Sequence, residues 1–203
     1  MKIYKLEDES ISPQPTGGKA KKTDEFFEES FLHYLKETGR QLPEALKGTR
    51  FRKLTGRGEH GKPYIKIDGF EGIHFSLSHT TGFAAIAFAE SPVGLDLVNT
   101  NISMTGDPER LSKIAKRYFT DSELGYIERS GGASAAFVTV WACREAWGKY
   151  TGEGLRSDFE KTDVIVLMGT ESGAAIATGI LGEKKNIVCA LCADVALLKE
   201  IVW

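Results

Sequence analysis

Three short apolar runs, residues 73–79, 83–89 and 93–98, follow one another with little between them, and this limits the fold more than any other part of the chain. In the first run Ile73, Phe75 and Leu77 alternate with His74, Ser76 and Ser78, the period of a strand with one apolar face. The turn signal Thr80-Thr81-Gly82 leads into the second run, so the pair reads as an antiparallel hairpin. In the third run Val93, Leu95 and Leu97 share one face, and Gly94, Asp96 and Val98 share the other.

Upstream, residues 8–22 are polar and contain Pro13, Pro15, Gly17 and Gly18, which reads as a loop. Thr23 or Asp24 then caps a helix to about residue 38, ended by Gly39, with Phe27, Phe31, Tyr34 and Leu35 as its buried stripe. A basic stretch with Arg50, Arg52, Lys53 and Arg57 leads to the turn Gly61-Lys62-Pro63. After a loop near Gly106 the spacing predicts a helix over 109–118, and Thr120 with Glu123 forms a capping box that starts another. Ser130-Gly131-Gly132 breaks that helix. A longer one follows over 133–150, stopped by Gly152 and Gly154, and then strands at 164–167, 174–180 and 187–195. Helix followed by antiparallel strands thus occurs twice without a sequence repeat. We expect an α+β fold of two similarly built halves, residues 1–98 and 99–203, with a site in the cleft between them.

A net charge of -2 and a pI near 6.1 argue against a global nucleic-acid binder, so any basic surface is local. No apolar run reaches membrane-spanning length, and the N-terminus turns polar too soon for a secretory signal. Cys143, Cys189 and Cys192 have no disulfide-framework spacing. Cys189 and Cys192 sit in one apolar strand that points them to opposite faces, so they read as small buried hydrophobes and not as a redox or zinc pair. A reducing cytoplasm is the expected compartment.

Asp96 is the residue that stands out chemically. A carboxylate inside an apolar strand needs a neutralising partner: a metal ion, an arginine or a turn to cap. On the 133–150 helix Trp141, Glu145 and Lys149 recur every four residues on one face, with Arg144 and Gly148 beside them. Glu145 and Lys149 read equally as a surface ion pair. However, Trp141 and Val138 make this face partly apolar and set Glu145 at the edge of a buried surface. Carboxylates from a strand and a helix facing each other suit magnesium, which takes one or two protein carboxylates and completes its shell with phosphate and water. Ser78 and His79 at a strand end, with Lys62 in its turn, suit phosphate.

Taken in order, Gly61-Lys62-Pro63, Phe75-Ser76-Leu77-Ser78-His79, Val93-Gly94-Leu95-Asp96-Leu97, Phe119-Thr120-Asp121-Ser122-Glu123 and the run from Trp141 through Arg144-Glu145-Ala146-Trp147-Gly148-Lys149 to Leu155 resemble the 4'-phosphopantetheinyl transferases. The similarity is to the large monomeric type that primes peptide-synthetase and other carrier proteins. The resemblance implies two pseudosymmetric halves with coenzyme A in the cleft between them. It assigns Asp96 and Glu145 to Mg2+, with Glu145 or Lys149 taking the proton of a carrier serine. It places Lys62, Ser78, His79, Lys149 and, before the turn, Arg57 on the coenzyme A phosphates. Two positions depart from the pattern. Val98 stands where many relatives have a second acid, and Arg144 stands where lysine is usual; arginine keeps the charge and can grip phosphate.

The implied reaction moves phosphopantetheine from coenzyme A to a serine of an acyl or peptidyl carrier protein and releases 3',5'-ADP. A non-catalytic binder of coenzyme A or carrier protein is the alternative, resting on Val98. Carrier proteins are typically acidic, and Arg110, Lys113, Lys116 and Arg117 offer a local basic face that reads equally as ordinary solvated surface. Lys21, Lys22, Arg52 and Lys53 are candidates for the adenine and 3'-phosphate contacts. No nucleic acid or membrane is expected as partner, and both halves of the site in one chain imply a monomer.

Overall fold

The computed structural model describes residues 1–11, 19–100, 108–131, 134–154, 162–183, 186–199 and 201. The expected loop around Pro13 to Gly18, the loop near Gly106, Gly132 and Leu155 lie outside the described residues, as does the side chain of Lys21.

The chain opens with strand β1 (Lys2–Glu7) and helix α1 (Lys19–Glu37). A short helix α2 (Phe51–Leu54) leads into the small hairpin of β2 (Thr55–Arg57) and β3 (Pro63–Ile65). Strands β4 (His74–Thr80), β5 (Phe83–Ala89) and β6 (Gly94–Asn99) follow. Helices α3 (Pro108–Tyr118), α4 (Asp121–Arg129), α5 (Ser134–Thr151) and α6 (Val164–Met168) come next. Strands β7 (Ala174–Leu181) and β8 (Ile187–Asp194) and the turn of helix α7 (Val195–Leu198) complete the order.

The two main sheets share one topology. In the first, β5 lies between β1 and β4; in the second, β8 lies between β6 and β7, and every pairing is antiparallel. Each half therefore runs strand, helices, hairpin, with the last strand at the centre against the first. This is the expected α+β architecture of small antiparallel sheets with packed helices. β6 pairs from Gly94 to Asn99 with β8, so the second sheet begins at Gly94.

Alternation along the central strands separates the layers. On β5, Ala84, Ile86 and Phe88 join Phe27, Phe31, Tyr34 and Leu35 of α1 in one core, while Phe83, Ala85, Ala87 and Ala89 face the second sheet. On β8, Cys189 and Leu191 meet that inter-sheet core and Val188, Ala190 and Cys192 meet α5. The order across the molecule is helix, sheet, sheet, helix, with Cys189 and Cys192 on opposite faces as alternation requires.

Four elements depart from expectation. β1 was not anticipated: it is an edge strand in which Lys2 and Lys5 interrupt Ile3, Tyr4 and Leu6, and charges on an edge hide its apolar alternation. α1 begins at Lys19, ahead of Thr23, and Gly39 (φ 69) follows its end in the left-handed conformation. Residues 164–167, read as a strand for their β-branched side chains, form α6. Asp163 Oδ1 accepts from Ile165 N–H at 2.9 Å and Glu123 Oε1 from Val164 N–H at 2.9 Å, so two carboxylates cap that turn. The expected strand end at Val195 likewise turns into α7, capped by Asp194. No helix among the described residues is long and apolar enough to cross a membrane.

Candidate active site

β6 and α5 form the rigid frame of the site because the strand backbone touches the helix. A side chain on Gly94 would place its Cβ 1.9 Å from the Ala146 carbonyl oxygen and 2.5 Å from Tyr150 N, so only glycine fits. That approach sets Asp96, two residues on and on the same face, against the last turns of α5. Lys149 Nζ donates to Asp96 Oδ1 at 2.7 Å and to the Leu95 carbonyl at 3.0 Å. Ser78 Oγ donates to the same Asp96 oxygen at 3.0 Å. Burial raises the Glu145 carboxyl above its usual range, and the Asp96 charge raises it further, against the opposing pull of Lys149. Asp96 and Glu145 are thus two carboxylates whose mutual repulsion a divalent cation would relieve. No group of three or more metal-binding side chains occurs among the described residues, so the candidate metal set is these two carboxylates.

Beside this frame lies a cavity of about 810 Å³. Phe75, Ser76, Leu77 and His79 of β4 line it, with α1, α2 and the β2–β3 hairpin around it and Gly148, Lys149, Gly152 and Gly154 contributed by the second half. Its charged lining is mostly basic: Arg52, Arg57, Lys62 and Lys149, with Asp24 as the acid among the described residues. Asp24 is already held by Arg52, whose Nε donates to Oδ1 at 2.7 Å. Lys62 donates to the Tyr150 carbonyl, where the negative end of α5 favours a cation. Burial lowers the Lys62 ammonium. Burial and then the Lys149 charge lower the His79 imidazole, against the opposing pull of Asp24.

Arg57, Lys62, His79 and Lys149 are therefore brought to one cavity, with Asp96 held by Lys149 and near enough to Glu145 for its charge to act there. Two expected phosphate contacts are not brought there. Arg144 is completely buried and turned to the other side of α5: its Nε donates to Glu123 Oε2 at 2.7 Å, its Nη2 makes the ion pair, and Phe119 lies under the guanidinium. An arginine in that ion pair would have to leave a buried carboxylate unpaired to reach a phosphate, a step of several kcal/mol (about 3–5). The Ser78 hydroxyl is also buried and has spent its proton on Asp96. Sequence reading missed His60, which lines the cavity from a left-handed backbone (φ 59) in the β2–β3 turn. The adjoining Gly61-Lys62-Pro63 was its signal. Phe51, Thr55 and Gly56 were missed for lack of any.

Residues 92–192, which carry β6, α5, β7 and most of β8, match the 4'-phosphopantetheinyl transferase superfamily. The chain belongs to that superfamily. It is 29% identical over 108 residues to the 4'-phosphopantetheinyl transferase gsp of Aneurinibacillus migulanus, a match over 50% of this chain and 39% of that protein. It is 30% identical over 100 residues to the 4'-phosphopantetheinyl transferase Sfp of Bacillus subtilis, over 48% of this chain and 40% of that protein. An L-aminoadipate-semialdehyde dehydrogenase-phosphopantetheinyl transferase of Candida glabrata is 26% identical over 60% of this chain and 48% of its own length. The chain thus matches half or less of the length of each of these relatives. In this superfamily member the matched span holds Asp96, Glu145 and Lys149, whereas Arg57, Lys62 and His79 come from the half before it.

Proposed function

We propose that this protein transfers the 4'-phosphopantetheine group of coenzyme A to a serine of an acyl or peptidyl carrier protein. The observation that supports the reading is the contact between Asp96 and Lys149, a residue lining a mostly basic cavity, together with the charge of Asp96 acting on Glu145. An acidic pair beside Arg57, Lys62 and Lys149 suits a pyrophosphate that arrives with a divalent cation. Asp96 and Glu145 would hold Mg2+. When bound, the ion supplies positive charge to the pyrophosphate and to the leaving phosphate oxygen.

The chain's own groups do the rest. Arg57, Lys62 and Lys149 hold the phosphates, and His79 adds a hydrogen-bond donor. The serine oxygen bonds to the β-phosphorus while the bond from that phosphorus to the bridging oxygen breaks, and 3',5'-ADP leaves. Lys149 donates to two acceptors and acts as a cation, and Glu145, one helical turn before it on α5, takes the serine proton. Val98 packs against the core of the second half, which leaves Asp96 and Glu145 as the protein's contribution to the metal and water and phosphate as the remainder.

The carrier would dock on the exposed face of α3, where Lys113, Lys116 and Arg117 lie at three- and four-residue spacing. A monomer in the cytoplasm fits a site built from both halves of one chain. The division into an N-terminal half and a C-terminal half with the cleft between them is part of the same reading. The test is incubation with coenzyme A, Mg2+ and several apo-carrier proteins, read by intact mass. The expected result is a phosphopantetheine adduct that disappears with Asp96→Ala or Glu145→Ala. Coenzyme A binding without an adduct on any carrier would instead make the protein a binder.

A further inference from the structure

β4 and β6 are edge strands of different sheets, yet they run side by side without a backbone ladder between them. Two side chains take the place of that ladder. Leu95 N–H donates to Ser76 Oγ at 2.9 Å, and Leu97 N–H donates to Ser78 Oγ at 3.2 Å. Both serines are buried, and their spacing of two on β4 matches the spacing of two on β6. The serines differ in one respect. Ser78 also gives its proton to Asp96 Oδ1 at 3.0 Å, the oxygen that Lys149 approaches from α5.

We propose that Ser76 and Ser78 form a hydroxyl ladder joining the two halves of the molecule, and that Ser78 is a positioning residue for the Asp96 carboxylate. A hydroxyl that only satisfied the β6 backbone would have no need to face the carboxylate, as Ser76 illustrates. Ser78 satisfies both at once, so the rung that locks the halves together also fixes the carboxylate's rotation. Outer partners of this kind change metal affinity by about 10–100-fold when removed. Ser78 therefore acts on the site through Asp96 and not through phosphate.

The second part rests on the metal reading under Proposed function, and the experiment separates the two. Amide hydrogen exchange followed by NMR reads the ladder without any metal. Ser76→Ala is expected to lose protection at Leu95 N–H, and Ser78→Ala at Leu97 N–H. Unchanged protection at both would overturn the ladder. Mn2+ binding, read as free Mn2+ by electron paramagnetic resonance without coenzyme A, reads the positioning. Ser78→Ala is expected to bind Mn2+ about tenfold more weakly, while Ser76→Ala stays within about twofold of wild type because its hydroxyl does not touch Asp96. Wild-type Mn2+ affinity in Ser78→Ala would reduce Ser78 to a core hydroxyl. Ser78→Cys fills the same space with a weak donor and gives the same reading if the alanine variant does not fold. Absence of Mn2+ binding by the wild-type protein would sink the metal reading and leave the ladder to the exchange data.

Discussion

Lys149 Nζ on α5 lies 2.7 Å from Asp96 Oδ1 on β6, so a helix cation closes directly onto a strand carboxylate. Asp96 is mostly buried and Lys149 about one-third exposed, which keeps the ammonium both paired and open to the cavity. The close approach of Gly94 to the helix backbone makes this contact possible, and the Ser78 hydroxyl turns the carboxylate toward it.

Lys149→Met removes two hydrogen bonds and a cavity cation. Loss of the two bonds is expected to cost about 1–3 kcal/mol of stability, measured by urea unfolding. On the proposed function the transfer rate should fall by roughly 100-fold or more, because a cation lining the cavity is gone. A folded variant that transfers at the wild-type rate would remove Lys149 from the mechanism.

Gly94→Ala would force a Cβ to within 1.9 Å of the Ala146 carbonyl oxygen, a backbone atom that cannot swing aside. β6 and α5 must then separate. The expected outcome is a loss of about 3 kcal/mol or more, seen as a lower urea midpoint. Asp96 and Lys149 should also lose their contact.

Glu123 and Arg144 bind three elements from within the core. One carboxylate accepts from Thr120 N–H at 2.9 Å, from Arg144 Nε at 2.7 Å and from Val164 N–H at 2.9 Å, which joins α4, α5 and α6. Both side chains are fully buried, so Glu123→Gln or Arg144→Met leaves a buried charge unpaired and should cost about 3–5 kcal/mol. In the double variant the losses should fall short of their sum, since the partners share one interaction. Full additivity would mean that the ion pair does not couple the helices.

Burial pushes the Cys143, Cys189 and Cys192 thiols up to about 12. At pH 8 each holds its proton, and a thiol reagent such as 5,5'-dithiobis(2-nitrobenzoate) should react only after the protein unfolds. Fast labelling of the native protein would contradict this packing.

Where the reading from sequence held, one physical signal dominated. The hairpin of β4 and β5, the face assignments on β6 and the Thr120–Glu123 capping box each follow from local periodicity or a local hydrogen-bond pattern, and the structure has them. What failed depended on contacts made far along the chain. Residues 164–168 have a strand's composition, yet the caps from Asp163 and Glu123 turn them into a helix. Arg144 is a site cation by the family resemblance, standing where lysine is usual, and only the phase of α5 reveals that it points at Glu123. β6 follows directly on the first hairpin in sequence, so nothing local says that its partner β8 lies nearly a hundred residues away.

α3 provides the remaining test. Lys113, Lys116 and Arg117 are exposed, and the Arg117 guanidinium rests 5.2 Å from the Tyr118 ring centre, which leaves a basic stripe on a protein of net charge -2. On the proposed function, an acidic carrier protein drawn to that stripe should be sensitive to its charge, while coenzyme A, which that reading puts in the cavity, should not. Lys113→Glu with Lys116→Glu is expected to raise the carrier KM roughly tenfold at low ionic strength, with a smaller effect as added salt screens the field. Coenzyme A affinity, measured calorimetrically, should be unchanged. Equal carrier kinetics in the two proteins at low salt would place the docking surface elsewhere.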